Sequence, residues 1–335
     1  MLPVINSNSS LDDRNEREKQ LLIYQKKCEE NNMTPLRFME SIKLLAKDYN
    51  IPVFVKETVK DEETKNWLKK LKLDLIVLGG GWPELIPVDI IRIPKAGMIN
   101  THPSLLPEFR GTDIHRWQVL HGVKKSGTTI HYIDESFDTG DILGQAEVTI
   151  DKYDTPQVLF EKNSKIAGPL MEQVLKKIQD ALPYRLKGVK QASRDNSANY
   201  YSRWSWNPEK LHIKWNKTAN QILRFILAHT QESYVYNGPL VRYENNNYII
   251  RSASVTSIRN GKIFELGEII SITDEGLLIN TKKECLLVKK IQPATDKGYP
   301  TEPNTSKVLA GSEIKKSSIF TTHQKFTTPC QISRK

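Results

Sequence analysis

LDLIVLGGG, Leu73 to Gly81, is an apolar run without alternation, closed by three glycines. A strand buried on both faces reads this way, and such strands lie at the centre of parallel sheets covered by helices. Working outward, the segments on either side alternate between the two kinds of element. Upstream, Ser10 and Asp13 resemble a capping box that opens a charged helix to about Asn31. Thr34 and Pro35 read as N-cap and first residue of a helix carrying Met39, Ile42, Leu45, Ala46 and Tyr49 at helical spacing. Pro52 to Val55 (PVFV) follows as a short strand, and Asp61 to Lys70 as a helix. Downstream come a strand GMINT (Gly97 to Thr101), a helix near Asp113 to His121, a strand GTTIHYI (Gly127 to Ile133) and a helix from Thr155-Pro156 toward Ala181. Short strands alternating with helices predict an α/β domain with a parallel sheet over residues 1–182.

The alternation stops there. Residues 183–207 are polar and rich in Ser, Asn and Arg, which reads as a linker. One helix, about Lys217 to Leu227, precedes a series of short strands broken by Asn-Gly, Glu-Asn-Asn-Asn and Asp-Glu-Gly turns. Residues 208–312 are therefore expected to form a small β-barrel or sandwich. The Ser/Thr/Lys-rich tail, 313–335, has the composition of a disordered segment.

The 335 residues are 38% hydrophobic and 26% charged, the profile of a soluble globular protein of about two domains. Collagen-like, low-complexity and disulfide-scaffold classes are excluded. The net charge of +10 is distributed unevenly, since residues 181–335 hold 24 basic and 12 acidic side chains while residues 1–180 hold 25 and 27. This excess suggests a phosphate-bearing partner for the C-terminal half, against the simpler reading of solvated surface charge. Cys28, Cys285 and Cys330 are odd in number and too scattered for zinc ligation, so no metal is expected and a reducing cytoplasm fits. No apolar run is long enough for a membrane span, and no internal repeat is present.

The chemistry concentrates in MINTHPSLLPEFRG (Met98 to Gly111) and TTIHYIDESFDTGDI (Thr128 to Ile142). Asn100 and His102 lie two apart at a strand end, so both side chains point the same way at the edge where parallel sheets bind ligands. An amide donor beside a proton-carrying imidazole suits a developing oxyanion, and Asp138 follows the next strand, where it can orient that imidazole. A hydrogen-bonded surface pair is the plain alternative. His115 and His121 read as surface-helix residues, and His131 as a mid-strand packing residue close enough to Asp138 to support it. The glycines before Trp82 lack the dinucleotide spacing and read as a close backbone approach for a planar ring.

The order Asn-x-His-Pro-Ser-Leu-Leu-Pro, Gly111 and a downstream Asp-x-Gly resembles the folate-dependent formyltransferase family over roughly residues 50 to 180. The resemblance implies a Rossmann-like catalytic domain, with 10-formyltetrahydrofolate as formyl donor and a primary amine as acceptor. It makes Asn100, His102 and Asp138 the catalytic trio and Ser104, Leu105, Leu106 and Pro107 the floor of the site. The folate pocket is then lined by Gly80, Gly81, Trp82, Leu85, Ile86 and the loop from Asp134 and Glu135 to Asp138. Asn100 and protonated His102 are expected to hold the oxyanion while Asp138 sustains the imidazolium and helps remove the amine proton.

Lys210 to Thr230 and Leu266 to Pro293 are similar to the C-terminal domain of methionyl-tRNA formyltransferases, which implies tRNA as partner. Thr129 to Ile142 and Trp117 look more like sugar N-formyltransferases, which implies a nucleotide-linked amino sugar. The first reading is preferred here, and a non-catalytic RNA-binding relative is a third. The family's first strand and glycine turn are apparently missing, because the chain starts at VINSNSS. Either the sequence is N-terminally incomplete or Val4 to Asn6 supplies an edge strand.

Overall fold

The computed structural model describes residues 49–51, 58–79, 84–191, 200–204, 207–230, 238–243, 245–257, 263–296 and 299–301. The helices expected before residue 49, the Pro52 to Val55 strand, Val4 to Asn6 and the tail 313–335 lie outside them. Residues 1–70 form one unit. Its described helix, α1 (Glu62–Lys70), begins where expected because Asp61 caps it, accepting from Thr64 N at 2.8 Å and from Thr64 Oγ1 at 3.0 Å.

In the second unit, β1 (Ile76–Leu78), β2 (Met98–His102), β4 (Lys125–Tyr132) and β5 (Ile142–Thr149) form a sheet in the order β1-β2-β4-β5. The pair β1 and β2 is parallel, with Leu78 opposite Asn100. The short helix α2 (Val88–Ile91) lies between them in sequence. Both β4 and β5 then pair antiparallel, so the Rossmann-like sheet expected to be parallel is mixed. The reason is local: α3 (Ile114–His121) ends at Gly122, φ +66, and the chain turns back into β4. A Cβ at Gly122 would also meet the Arg224 side chain.

The long helix α4 (Pro156–Ala181) covers the sheet, capped by Thr155, whose hydroxyl accepts from Val158 N at 3.3 Å. Its Leu170, Val174 and Ile178 pack with Ile99, Ile130, Tyr132 and Leu143. Burial of such a cluster is the main stabilising term for this layer.

The stretch read as a linker is attached to this domain in its described parts. Val189 bridges Ile142, and β6 (Tyr200–Tyr201) pairs with β3 (Arg110–Gly111). Beyond α5 (Pro208–Leu211), α6 (Ala219–His229) starts at a capping box formed by Thr218 and Gln221. It packs Ile222, Leu223 and Ile226 on a five-stranded antiparallel sheet ordered β7-β8-β11-β10-β9. These strands are β7 (Leu240–Tyr243), β8 (Asn246–Thr256), β9 (Ile269–Thr273), β10 (Gly276–Asn280) and β11 (Cys285–Ala294). Among the described residues no ladder joins β7 to β9, and no helix is long and apolar enough to cross a membrane.

Candidate active site

The end of β2 carries the site. Asn100 and His102 share one face of that strand, and antiparallel pairing sets His131 of β4 directly opposite Asn100. The carboxylate of Asp138 reaches them from the loop after β4. Its Oδ1 lies 3.4 Å from His102 Nδ1, 3.6 Å from His131 Nε2 and 3.5 Å from Asn100 Nδ2, while Oδ2 accepts from the Gly111 backbone N–H at 2.9 Å. The expected trio is therefore assembled, with a second histidine added. Sequence reasoning gave His131 mainly a packing role. Its signal was the register, since an antiparallel β4 puts it on the Asn100 face.

Carbonyl oxygens fix the tautomers, because they can only accept. His102 Nε2 lies 2.7 Å from Phe109 O and His131 Nδ1 lies 2.8 Å from Tyr132 O, so each of these nitrogens carries a hydrogen. The nitrogens that remain, His102 Nδ1 and His131 Nε2, both face Asp138. A proton delivered here is shared between an imidazole and a carboxylate. Both ring nitrogens of His102 are engaged, Nε2 by the Phe109 carbonyl and Nδ1 by Asp138.

Burial by itself would raise the Asp138 pKa, but His102, His131 and the Gly111 N–H outweigh it and hold the carboxyl at about 2. For His102, only 3% exposed, burial lowers the pKa from 6.5 and outweighs the Asp138 charge and the Phe109 carbonyl. These two tendencies compete, because Asp138 draws part of its stabilisation from a charged His102. The Gly111 N–H serves the carboxylate whatever the state of the ring.

The Ser104 to Pro107 turn is fastened to the sheet. Thr129 Oγ1 donates to Ser104 O at 2.6 Å and accepts from Leu106 N at 3.1 Å, and Gln145 Nε2 donates to Leu106 O at 2.9 Å. Of the expected folate-lining residues, Asp134 and Glu135 border a cavity of about 340 Å³ whose other walls include Val88, Ile91, Gly97 and Ile133. Ile86 is buried and Leu85 is 41% exposed. Gly80, Gly81 and Trp82 lie outside the described residues. Arg92, Lys95 and Arg185 also line it, so apolar side chains, two carboxylates and three cations share its walls.

The other histidines divide. His121 is exposed and packs edge-on to Phe109 and Tyr201. His115, expected at the surface, instead turns inward to Asn163 Nδ2 at 3.2 Å, and burial lowers its pKa to about 4. Its helix α3 is covered by α4 on one side and by α6 on the other, where Arg116 Nη1 donates to Ala228 O at 2.6 Å.

The formyl transferase family pattern matches residues 4–175, and that of the formyl transferase C-terminal domain matches residues 206–305. The methionyl-tRNA formyltransferase of Clostridioides difficile is 28% identical over 283 residues, which is 84% of each chain. That of Ehrlichia ruminantium is 30% identical over 239 residues, covering 71% of this chain and 75% of its own. Among solved structures, an N-formyltransferase from Helicobacter canadensis, crystallised with folinic acid and dTDP-3-aminofucose, superposes with a TM-score of 0.54 at 20% identity, over 73% of this chain and 80% of its own. The sugar 3N-formyl transferase WlaRD gives 0.52 at 20% identity, over 73% and 79%. This chain belongs to the formyl transferase family: it is a formyl-transferring enzyme with an α/β catalytic domain and a C-terminal antiparallel-sheet domain.

Proposed function

We propose that the chain transfers the formyl group of 10-formyltetrahydrofolate to the amine of methionyl-tRNA in the cytoplasm. The observation that carries the chemistry is the convergence of Asn100, His102 and His131 on one buried carboxylate, Asp138. The folate supplies an activated formyl carbon. Val88, Ile91 and Ile133 are suited to its ring faces and Asp134 and Glu135 to its ring N–H groups. Asn100 Nδ2 makes only long contacts, at 3.4 and 3.5 Å, so little is lost when it turns to donate to the charge developing on the formyl oxygen. His102 and Asp138 together take the proton released by the attacking amine.

For the acceptor, the similarity to methionyl-tRNA enzymes over 84% of the chain joins a physical feature. Lys282, Lys283, Lys289 and Lys290 are all exposed, the first two in the turn before β11 and the others on it. Such a cluster suits phosphate contacts. A nucleotide-linked amino sugar is the second reading, favoured by Phe109, Trp117 and Tyr201, which form an aromatic group beside the loop that touches His102. The deciding experiment offers methionyl-tRNA and a panel of nucleotide-linked amino sugars in parallel, with 10-formyltetrahydrofolate as donor. Formylation of methionyl-tRNA is expected; formylation of a sugar alone overturns the acceptor. A saturable folate site separates both from a pure RNA-binding role.

A further inference from the structure

Gln191 stands outside the matched catalytic segment 4–175, in the polar stretch between the two domains, yet it is only 7% exposed. Its Nε2 donates to the backbone carbonyls of Asp138 at 2.9 Å and Gly140 at 2.8 Å. Its Oε1 accepts from Arg110 Nε at 3.2 Å and from Arg110 Nη2 at 2.7 Å. One amide therefore spans the two loops that touch His102 from either side. Arg110 sits between Phe109, whose carbonyl holds His102 Nε2, and Gly111, whose N–H holds Asp138 Oδ2. Asp138 itself has φ +57, a conformation that side-chain-bearing residues rarely keep without outside support.

We infer that Gln191 is a positioning residue for formyl transfer: by bonding both loops it fixes the backbone of Asp138 so that the carboxylate stays between His102 and His131. This rests on the assignment of Asp138 proposed above. The amide is suited to the task because it donates on one side and accepts on the other, and the two loops present carbonyls and a guanidinium, respectively. A carboxylate in its place satisfies only the guanidinium. A thioether satisfies neither.

The test compares Gln191→Glu, Gln191→Met and Gln191→Asn in the full chain. Glu keeps the bond to Arg110 and sets an oxygen against two carbonyls, so the fold is retained and kcat is expected to fall about 10- to 100-fold, the scale of a misplacement of about 1 Å. KM for donor and acceptor should change less than twofold. Asn, shorter by one methylene, cannot span both loops and should show a loss of the same kind if Glu or Met fails to fold. Nuclear magnetic resonance titration of the His102 ring gives an answer independent of any acceptor: its titration should move in the Glu and Asn variants. Parent-like kcat in a folded variant, or a His102 titration unchanged from the parent, overturns the inference. A parent chain that transfers no formyl group overturns the functional reading instead and leaves the titrations to decide the role of Gln191.

Discussion

The backbone N–H of Gly111 donates to Asp138 Oδ2 at 2.9 Å, and Gly111 can do so because its φ of +110 lets the chain pass under Tyr201. A Cβ at Gly111 would lie 2.0 Å from the Tyr201 carbonyl oxygen. The strand that leads into the C-terminal domain thus borders the loop that serves the carboxylate, and β3 pairs with β6 at this point.

Gly111→Ala is therefore expected to lose stability and activity together. The left-handed backbone costs an alanine about 1 to 2 kcal/mol, and the overlap with Tyr201 adds to it. Chemical denaturation should show a lower midpoint, and turnover in the folded fraction should drop more than tenfold. A parent-like midpoint would show that the chain relaxes here without cost.

Asn100→Ala should leave the fold and folate affinity close to the parent while turnover drops about 100- to 1000-fold, the usual effect of removing one oxyanion donor. His102→Ala should be impaired to a comparable degree, since it removes the proton acceptor. Steady-state kinetics with a parallel melting curve checks both. Turnover equal to the parent in either variant would remove that residue from the chemistry.

Asp138→Asn keeps the shape but removes the negative charge that favours a protonated His102. Burial, the largest influence on His102 and one that lowers its pKa, then acts without that opposing charge, so the acid limb of the kcat profile should move to lower pH as the rate falls. An unchanged profile at full rate would make Asp138 a structural loop residue.

Stability should itself depend on pH. Burial lowers His115 and His229 to about 4 from 6.5, with Arg116 pushing both in the same direction. The unfolded chain then binds more protons than the folded one below 6.5. The stabilisation is present above pH 6.5 and is lost as pH falls toward 4, on the order of 3 kcal/mol per histidine. Asp138 adds a further loss only below its unfolded value of 3.8, toward 2. Urea unfolding at pH 7, 6 and 5 should show this decline, and His115→Gln should flatten it. Equal unfolding free energies at pH 7 and pH 5 would contradict it.

Local rules carried much of the reading. Thr155-Pro156 opened α4 where expected because an N-cap and a first-turn proline are written in adjacent residues. The pairing of Asn100 with His102 was legible from their spacing alone. Strand direction was not, because a strand, a helix and a second strand give the same pattern whether the chain crosses over or turns back. The antiparallel return after Gly122 therefore hid the place of His131. Gln191 gave no local signal either, as a neutral residue in a polar stretch whose importance comes from partners 51 to 81 positions away.

The C-terminal lysines give a prediction separable from the chemistry. If Lys282, Lys283, Lys289 and Lys290 contact tRNA phosphates, affinity should fall steeply with salt, and each lysine removed should lessen the slope of log affinity against log salt by a little under one unit. A nucleotide sugar should bind with a weak salt dependence. Filter binding across a salt series checks this, and neutralising all four without effect on affinity or slope would reject the cluster.

The most direct test is single-turnover formyl transfer from 10-formyltetrahydrofolate to methionyl-tRNA by the intact chain, with Asn100→Ala run beside it. The parent should formylate methionyl-tRNA with saturation in both substrates, and the variant should be slower by about 100-fold or more at unchanged folate affinity. A folded parent that formylates neither methionyl-tRNA nor any nucleotide-linked amino sugar, or a variant as fast as the parent, would contradict the account.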